Sequence, residues 1–168
     1  MAVANTKATV VSNRDASPAK MNPVHLEGGR LREIVGVAEV AAADDDDSVY
    51  RLGAVHSSWR ISDILIANDA ITLGTVYNLG LHETAENGGA AKDDNFFASA
   101  VDLSSAAAFR SLLYEATAAN IDKAEMKLWE LLGESADPNR FYDVTLTGAT
   151  VGTAAGTLAA RIQYSDGT

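Results

Sequence analysis

The residues that could carry chemistry are few and scattered. Three histidines, His25, His56 and His82, stand alone in the sequence. None has a second histidine at i+4 or another ligand-like spacing, so each reads as a solvent-facing or hydrogen-bonded structural residue. The densest carboxylate cluster is Asp44-Asp45-Asp46-Asp47. Calcium takes carboxylate oxygens, but an EF-hand loop alternates its ligands and bends at a glycine, and this run does neither. Four adjacent aspartates repel one another and diverge, which suits a solvated loop; Asp93-Asp94-Asn95 reads the same way. There is no G-x-S-x-G elbow to present a serine nucleophile. Cysteine is absent, which removes thiolate nucleophiles, disulfides and thiolate-held metals. Gly28-Gly29 and Gly88-Gly89 lack the spacing of phosphate-cradling loops. Glycoside hydrolysis needs only two carboxylates placed across a sugar, and 23 acidic residues leave that route open. No catalytic residue, cofactor or metal is assigned, and the expectation is a protein that is not an enzyme.

Four aromatic residues could stack on a sugar ring: Trp59, Trp129, Tyr142 and Tyr164. Trp129 lies beside a leucine stripe, and Tyr142 and Tyr164 fall on the apolar side of alternating segments, so these three read as core. Trp59, after Ser57-Ser58 and before Arg60, is the one expected as an exposed contact.

Charge points to binding through surface. The net charge is -10. Residues 1–32 hold Lys7, Arg14, Lys20, Arg30 and Arg32 against Asp15 and Glu27, a net of +3, which leaves -13 on the remaining 136 residues. An acidic body repels nucleic acid, whose binding relies on Lys and Arg at phosphates. A weakly basic leading segment either docks on an acidic protein surface or is a chance imbalance. No run approaches the roughly 20 apolar residues of a membrane helix. The start, Met1 to Lys7, lacks the basic-then-apolar pattern of a secretory signal. The expectation is a soluble protein that stays in the cytoplasm where it is made.

The elements that must position these residues are mostly strands. Residues 1–25 carry Asn5, Ser12, Asn13, Asp15, Ser17, Pro18, Asn22 and Pro23 without a clear period, and read as an extended arm ahead of one domain over 26–168. Thr9-Val10-Val11 within it is a β-prone patch able to pair with an edge of another chain. Arg30 to Val40 is apolar on both faces and reads as a buried strand. Val49 to Val55, Trp59 to Ala67 and Thr75 to Leu81 follow as strands, and Asn87-Gly88-Gly89 signals a turn. Near the end, Tyr142, Val144 and Leu146 alternate with polar residues, as do Leu158, Ala160, Ile162 and Tyr164, the period-two pattern of antiparallel strands over a core. Asp122 with Glu125, then Leu128, Leu131, Leu132 and Gly133, predicts a short helix over 123–132. Ala106, Phe109, Leu112, Leu113 and Ala116 predict a second. The fold class is mainly β: an antiparallel β-sandwich, jelly-roll-like by preference and a barrel as the alternative, with one or two short helices in a long connection.

Three stretches in order carry a resemblance. They are Trp59-Arg60-Ile61-Ser62-Asp63-Ile64-Leu65-Ile66-Ala67-Asn68-Asp69-Ala70-Ile71; Tyr77 to Glu83 followed by Asp94 to Leu103; and Leu128 to Gly133 through Ala136-Asp137-Pro138-Asn139-Arg140 into the Thr-, Ala- and Gly-rich end. From Trp59 to Tyr164 the chain resembles the capsid decoration, or head cement, proteins of tailed bacteriophages. The resemblance implies a β-sandwich on the outer surface of the head, partnered by the major capsid protein and by itself as a dimer or trimer, without nucleic acid or membrane. It implies no catalytic residues. Lys7, Val10, Arg14 and Lys20 of the arm, with Trp59 and Arg60, are the expected capsid or partner contacts. The alternatives are another virion component, such as a tail or connector part or a carbohydrate-binding surface module, and a small hydrolase.

Overall fold

The computed structural model describes residues 6–71, 75–116, 118–151 and 154–166. Among the described residues eight strands divide between two sheets: β1 (Arg30–Val40), β2 (Val49–His56), β3 (Arg60–Asn68), β4 (Val76–Glu83), β5 (Ala91–Asp102), β6 (Ala107–Ser111), β7 (Phe141–Thr150) and β8 (Gly156–Asp166). The orders are β1-β8-β3-β6 and β2-β7-β4-β5, each sheet four-stranded, and every pair is antiparallel. The pairs β1–β8, β2–β7, β3–β6 and β4–β5 are nested, as in a hairpin ribbon rolled up on itself. That is the jelly roll expected from the pattern of short strands and turns.

Period-two alternation places the core. Leu158, Ala160, Ile162 and Tyr164 of β8 face Tyr142, Val144 and Leu146 of β7, with Ile61, Ile64 and Ile66 of β3 and Tyr77, Leu79 and Leu81 of β4 filling the space between the sheets. The predicted strands over 49–55, 59–67 and 75–81 form as β2, β3 and β4.

Four local readings are corrected. Residues 30–40 are a strand, but β1 is a sheet edge rather than a buried strand, and Leu31, Val35 and Val37 are 62%, 61% and 64% exposed. A strand in a two-sheet sandwich packs only its inward alternate residues, so apolar residues on both faces do not imply burial on both. The β-prone patch Thr9-Val10-Val11 is instead the start of a helix, α1 (Thr9–Arg14). With no strand beside it, this segment satisfies its backbone locally, and the Ser12 and Asp15 N–H groups donate to the Ala8 and Val11 carbonyls. The helix expected over 106–116 is strand β6, because β3 offers a free edge there and Leu65 and Ile66 pair with Ser111 and Arg110. The helix expected over 123–132 contracts to a 3₁₀ turn at Ile121–Lys123 and α2 (Leu128–Leu131). There the Lys127 N–H donates to the Glu130 carboxylate at 2.7 Å, and Gly133 ends the turn at φ +70°. Strand β5, the longest, had no counterpart in the sequence reading.

Candidate functional site

The roll sorts its connections to two ends. One end gathers the start of β1 with the preceding arm, the β2–β3 and β4–β5 turns and the long connection from β6 to β7. The other gathers the β1–β2, β3–β4, β5–β6 and β7–β8 loops. The described residues among 39–48, 68–71, 75–76, 101–107, 149–151 and 154–157 at this second end contain Glu39, Asp44, Asp45, Asp46, Asp47, Asp69 and Asp102 and not one Lys or Arg. The basic arm and the most acidic loops therefore lie at opposite ends of β1.

At the arm end, hydrogen bonds tie the arm to the body. Arg60 Nε donates to the His25 carbonyl at 2.8 Å. Thr9 Oγ1 donates to the Glu125 carboxylate at 2.7 Å. Inside the arm, Asn22 bonds the side chains of Asn13 and Glu27 and the carbonyl of Val10, so it clips α1 to the segment that follows. Lys7 and Arg14 both pair with Asp15, whose carboxyl is held below the ordinary carboxylate range, first by Arg14 and then by Lys7. Val10, Val11, Arg14, Lys20 and Met21 line an open groove, with Met21 96% exposed. Among the expected contact residues, Lys7, Val10, Arg14 and Lys20 thus belong to one small structured unit; residues 1–5 of the arm lie outside the described residues.

Trp59 and Arg60 turn inward. The expected exposed contact, Trp59, is half-buried: its ring stacks on Tyr164 with centroids 3.9 Å apart and planes 10° apart, and meets Phe141 edge-on at 5.7 Å. The β2–β3 turn delivers Trp59 onto the end of β8, where a large flat ring gains more from a stacking partner than from water. Arg60 spends its guanidinium on backbone carbonyls of His25 and Ala124. Phe141, which sequence reasoning missed, is the exposed ring of this cluster, beside a groove of about 700 Å3 that Asn87, Asn139, Arg140 and Asp143 also line. Alternation alone could have found it, since Phe141 precedes Tyr142 and so faces the opposite side of β7.

The three histidines do not meet. His25 lies in the arm junction, His56 Nδ1 is 2.8 Å from Ser58 Oγ, and buried His82 Nδ1 is 2.9 Å from Thr145 Oγ1. Among the described residues no three metal-ligating side chains gather into a cluster. The nearest approach to a hydrolytic arrangement is Ser57 with Asp137, and its geometry does not fit one. The Ser57 hydroxyl donates directly to the carboxylate, and the side chain is fully buried. A triad instead needs a histidine between the two groups and an accessible serine. Burial raises the Asp137 pKa, but the Ser57 hydroxyl and Asn139 N–H more than offset it, and the carboxyl stays below its ordinary value. The pair is a turn lock, joined by the Arg140 N–H donating to Ser57 Oγ.

At the far end three of the four aspartate side chains do structural tasks in separate directions. Asp44 accepts from the Ala41 N–H and the Tyr50 hydroxyl, Asp45 from the Asp46 N–H, and Asp46 from the Val151 N–H. Asp44 is held below the ordinary carboxylate range, mainly by the Tyr50 hydroxyl.

No family model matches this chain, and no curated protein matches it in sequence. The fold does match solved structures. A chain of the capsid of Ralstonia phage GP4 superposes with a TM-score of 0.62 at 15% identity, over 83% of this chain and 86% of that one. A chain of the cyanophage Pam1 capsid asymmetric unit superposes with a TM-score of 0.52 at 13% identity, over 90% of this chain and 96% of that one. At such identities the likeness is one of fold.

Proposed function

We propose that this chain is a structural protein of a phage virion that binds the outside of the head and stabilises the capsid by bridging major capsid subunits. The observation that carries this reading is the sharing of a whole fold, nearly end to end, with chains of two phage capsids. The residues are in keeping with it. Many polar side chains of the described residues lock turns and sheets, among them Asp44, Ser57 and Asp137, and the distinctive surfaces are a basic, partly apolar arm and an open sheet face. Such surfaces act through contact area rather than chemistry.

In this reading the arm is the fastener. Lys7, Arg14 and Lys20 meet an acidic capsid surface while Val10 and Met21 supply apolar contact, and Trp59 and Arg60 support the arm from beneath. Each contact is modest, but many copies on a symmetric lattice reinforce a shell through which neighbouring subunits are already joined. Deleting residues 1–22 tests it: the domain should stay folded and bind heads more weakly, and binding as tight as that of the full chain would refute the arm's role.

A second reading, a carbohydrate-binding surface module, is favoured by the half-exposed Phe141 beside Asn87, Asn139, Arg140 and Asp143. An aromatic face with amide and charged hydrogen-bonding groups suits a sugar ring. A glycan-binding screen with a Phe141→Ala control decides it.

A further inference from the structure

β1 is an unprotected edge. It is hydrogen-bonded on one side only, to β8, at the end of its sheet. Edge strands are usually kept from pairing by a lysine, a proline, a bulge or short length. β1 has no lysine, proline or bulge and is not short; its charges are Arg30, Arg32, Glu33 and Glu39. It runs 11 residues, Arg30–Val40, without Lys or Pro, and its pairing with β8 keeps register from Arg30↔Asp166 to Val40↔Gly156. Each of the other five strand pairs contains a register shift. On its outer face Leu31, Val35 and Val37 are exposed apolar residues, interspersed with exposed Glu33 and Glu39.

The charges at the two ends of this strand are opposite. Within and beside the strand, Arg30 and Arg32 stand at its beginning, Arg32 paired with Asp166 of β8, whereas Glu39 and Asp44-Asp45-Asp46-Asp47, at its end, are five acids without a base. A partner strand running antiparallel beside β1 would need the reverse order of charge, and β1 of a second copy has it. We infer that β1 is a homodimerisation edge, pairing antiparallel with β1 of a second copy across a two-fold axis at Val35.

The register follows from the sequence. Centring on Val35 pairs all 11 residues and sets Val35 against Val35, Leu31 against Glu39, Glu33 against Val37 and Arg32 against Ala38, with no like charges opposed. Centring on Gly36 would put Glu33 against Glu39, a repulsive pair. In the Val35 register, Arg30 and Arg32 of one copy come to the same end as the aspartate loop of the other, with Arg32 also paired to Asp166 of its own chain at 2.8 Å. The two β1-β8-β3-β6 sheets become one eight-stranded sheet, with Val35 and Val37 of both copies forming an apolar patch at the axis flanked by Glu33 and Glu39. Such an interface is isologous, as closed two-fold dimers require.

Sedimentation equilibrium of the full chain, without any heads, tests this. The native chain should show twice its 17.6 kDa mass, with the dimer weakened by salt as the end charges are screened. Val35→Lys with Val37→Lys alters two exposed side chains and should give a folded monomer by circular dichroism. Because the chain has no cysteine, Val35→Cys gives an independent reading. Directly opposed residues lie within disulfide reach, so mild oxidation should cross-link Val35→Cys into a covalent dimer, while Phe109→Cys on the opposite edge strand should stay monomeric. A native chain that sediments as a monomer, a dimer that persists in the lysine variant, or equal cross-linking from both cysteines would overturn the inference. No head enters the measurement, so its outcome is separate from that of head binding.

Discussion

The Trp59 ring lies flat against Tyr164, 3.9 Å between centroids and 10° between planes. This contact fastens the turn between β2 and β3 to the end of strand β8. It also connects to the rest of the arm end, because the Trp59 carbonyl accepts from the Leu128 N–H at the start of α2, and Arg60 beside it holds the His25 carbonyl. The arm, α2 and the sandwich thus share one anchor.

Trp59→Ala should therefore act on stability. Removing a core-packed Trp costs roughly 3–5 kcal/mol, and a half-buried one with a stacked partner should cost about 2–3 kcal/mol. Urea unfolding measures it, and a loss under about 0.5 kcal/mol would mean that the stack contributes little.

Arg60→Ala should loosen the arm while sparing the sandwich. Losing a charge-assisted hydrogen bond costs about 1–2 kcal/mol. Hydrogen exchange should rise over residues 8–27, with strands β3, β7 and β8 unchanged. Uniformly faster exchange across the sheets would contradict this.

Acid should weaken the fold through His82. Burial, helped by Arg51, holds its pKa below 6.5 against the opposing pull of Asp94 and Asp143. Below pH 6.5 the unfolded chain takes up a proton that the folded chain resists, so stability rises with pH across that window. The contribution is complete above about pH 6.5 and is lost as pH falls toward the lower folded value. His25 shifts the same way, mainly by burial. His82→Gln should flatten the stability profile between pH 7 and pH 5, and a profile as steep as the native one would contradict it.

Gly36→Ala should be costly despite lying on an edge strand. A Cβ there would sit 1.8 Å from the Leu52 carbonyl oxygen of β2, which is backbone and cannot swing aside. The expected loss is on the order of 1–3 kcal/mol, as for overpacking generally, measured by thermal or urea unfolding; a neutral substitution would show that the sheets separate there easily.

The sandwich was legible because β2, β3, β4, β7 and β8 carry their inward residues in period two, with turn residues between them. β5 was hidden because its pairing with β4 shifts register at three places, which breaks the alternation across Asp93 to Ala100. β6 looked helical because Phe109, Leu112 and Leu113 have helical spacing, yet only Ala107–Ser111 pairs and the leucines cap the core beyond it. The same ambiguity touches the contact residues. Neighbouring serines and an arginine made Trp59 look exposed, but what covers a ring is decided by Tyr164, more than a hundred residues away. Arg60 likewise finds its acceptors only in the folded chain. The edge position of β1 depends on strand order, which no local pattern encodes.

The central claim, that this chain braces a phage head from outside, is tested most directly by co-sedimentation with expanded empty heads followed by imaging of the decorated shells. The account predicts saturable binding, with added density on the outer surface at joints between capsid subunits. Heads that sediment without the protein, or density confined to the interior or the tail, would contradict it.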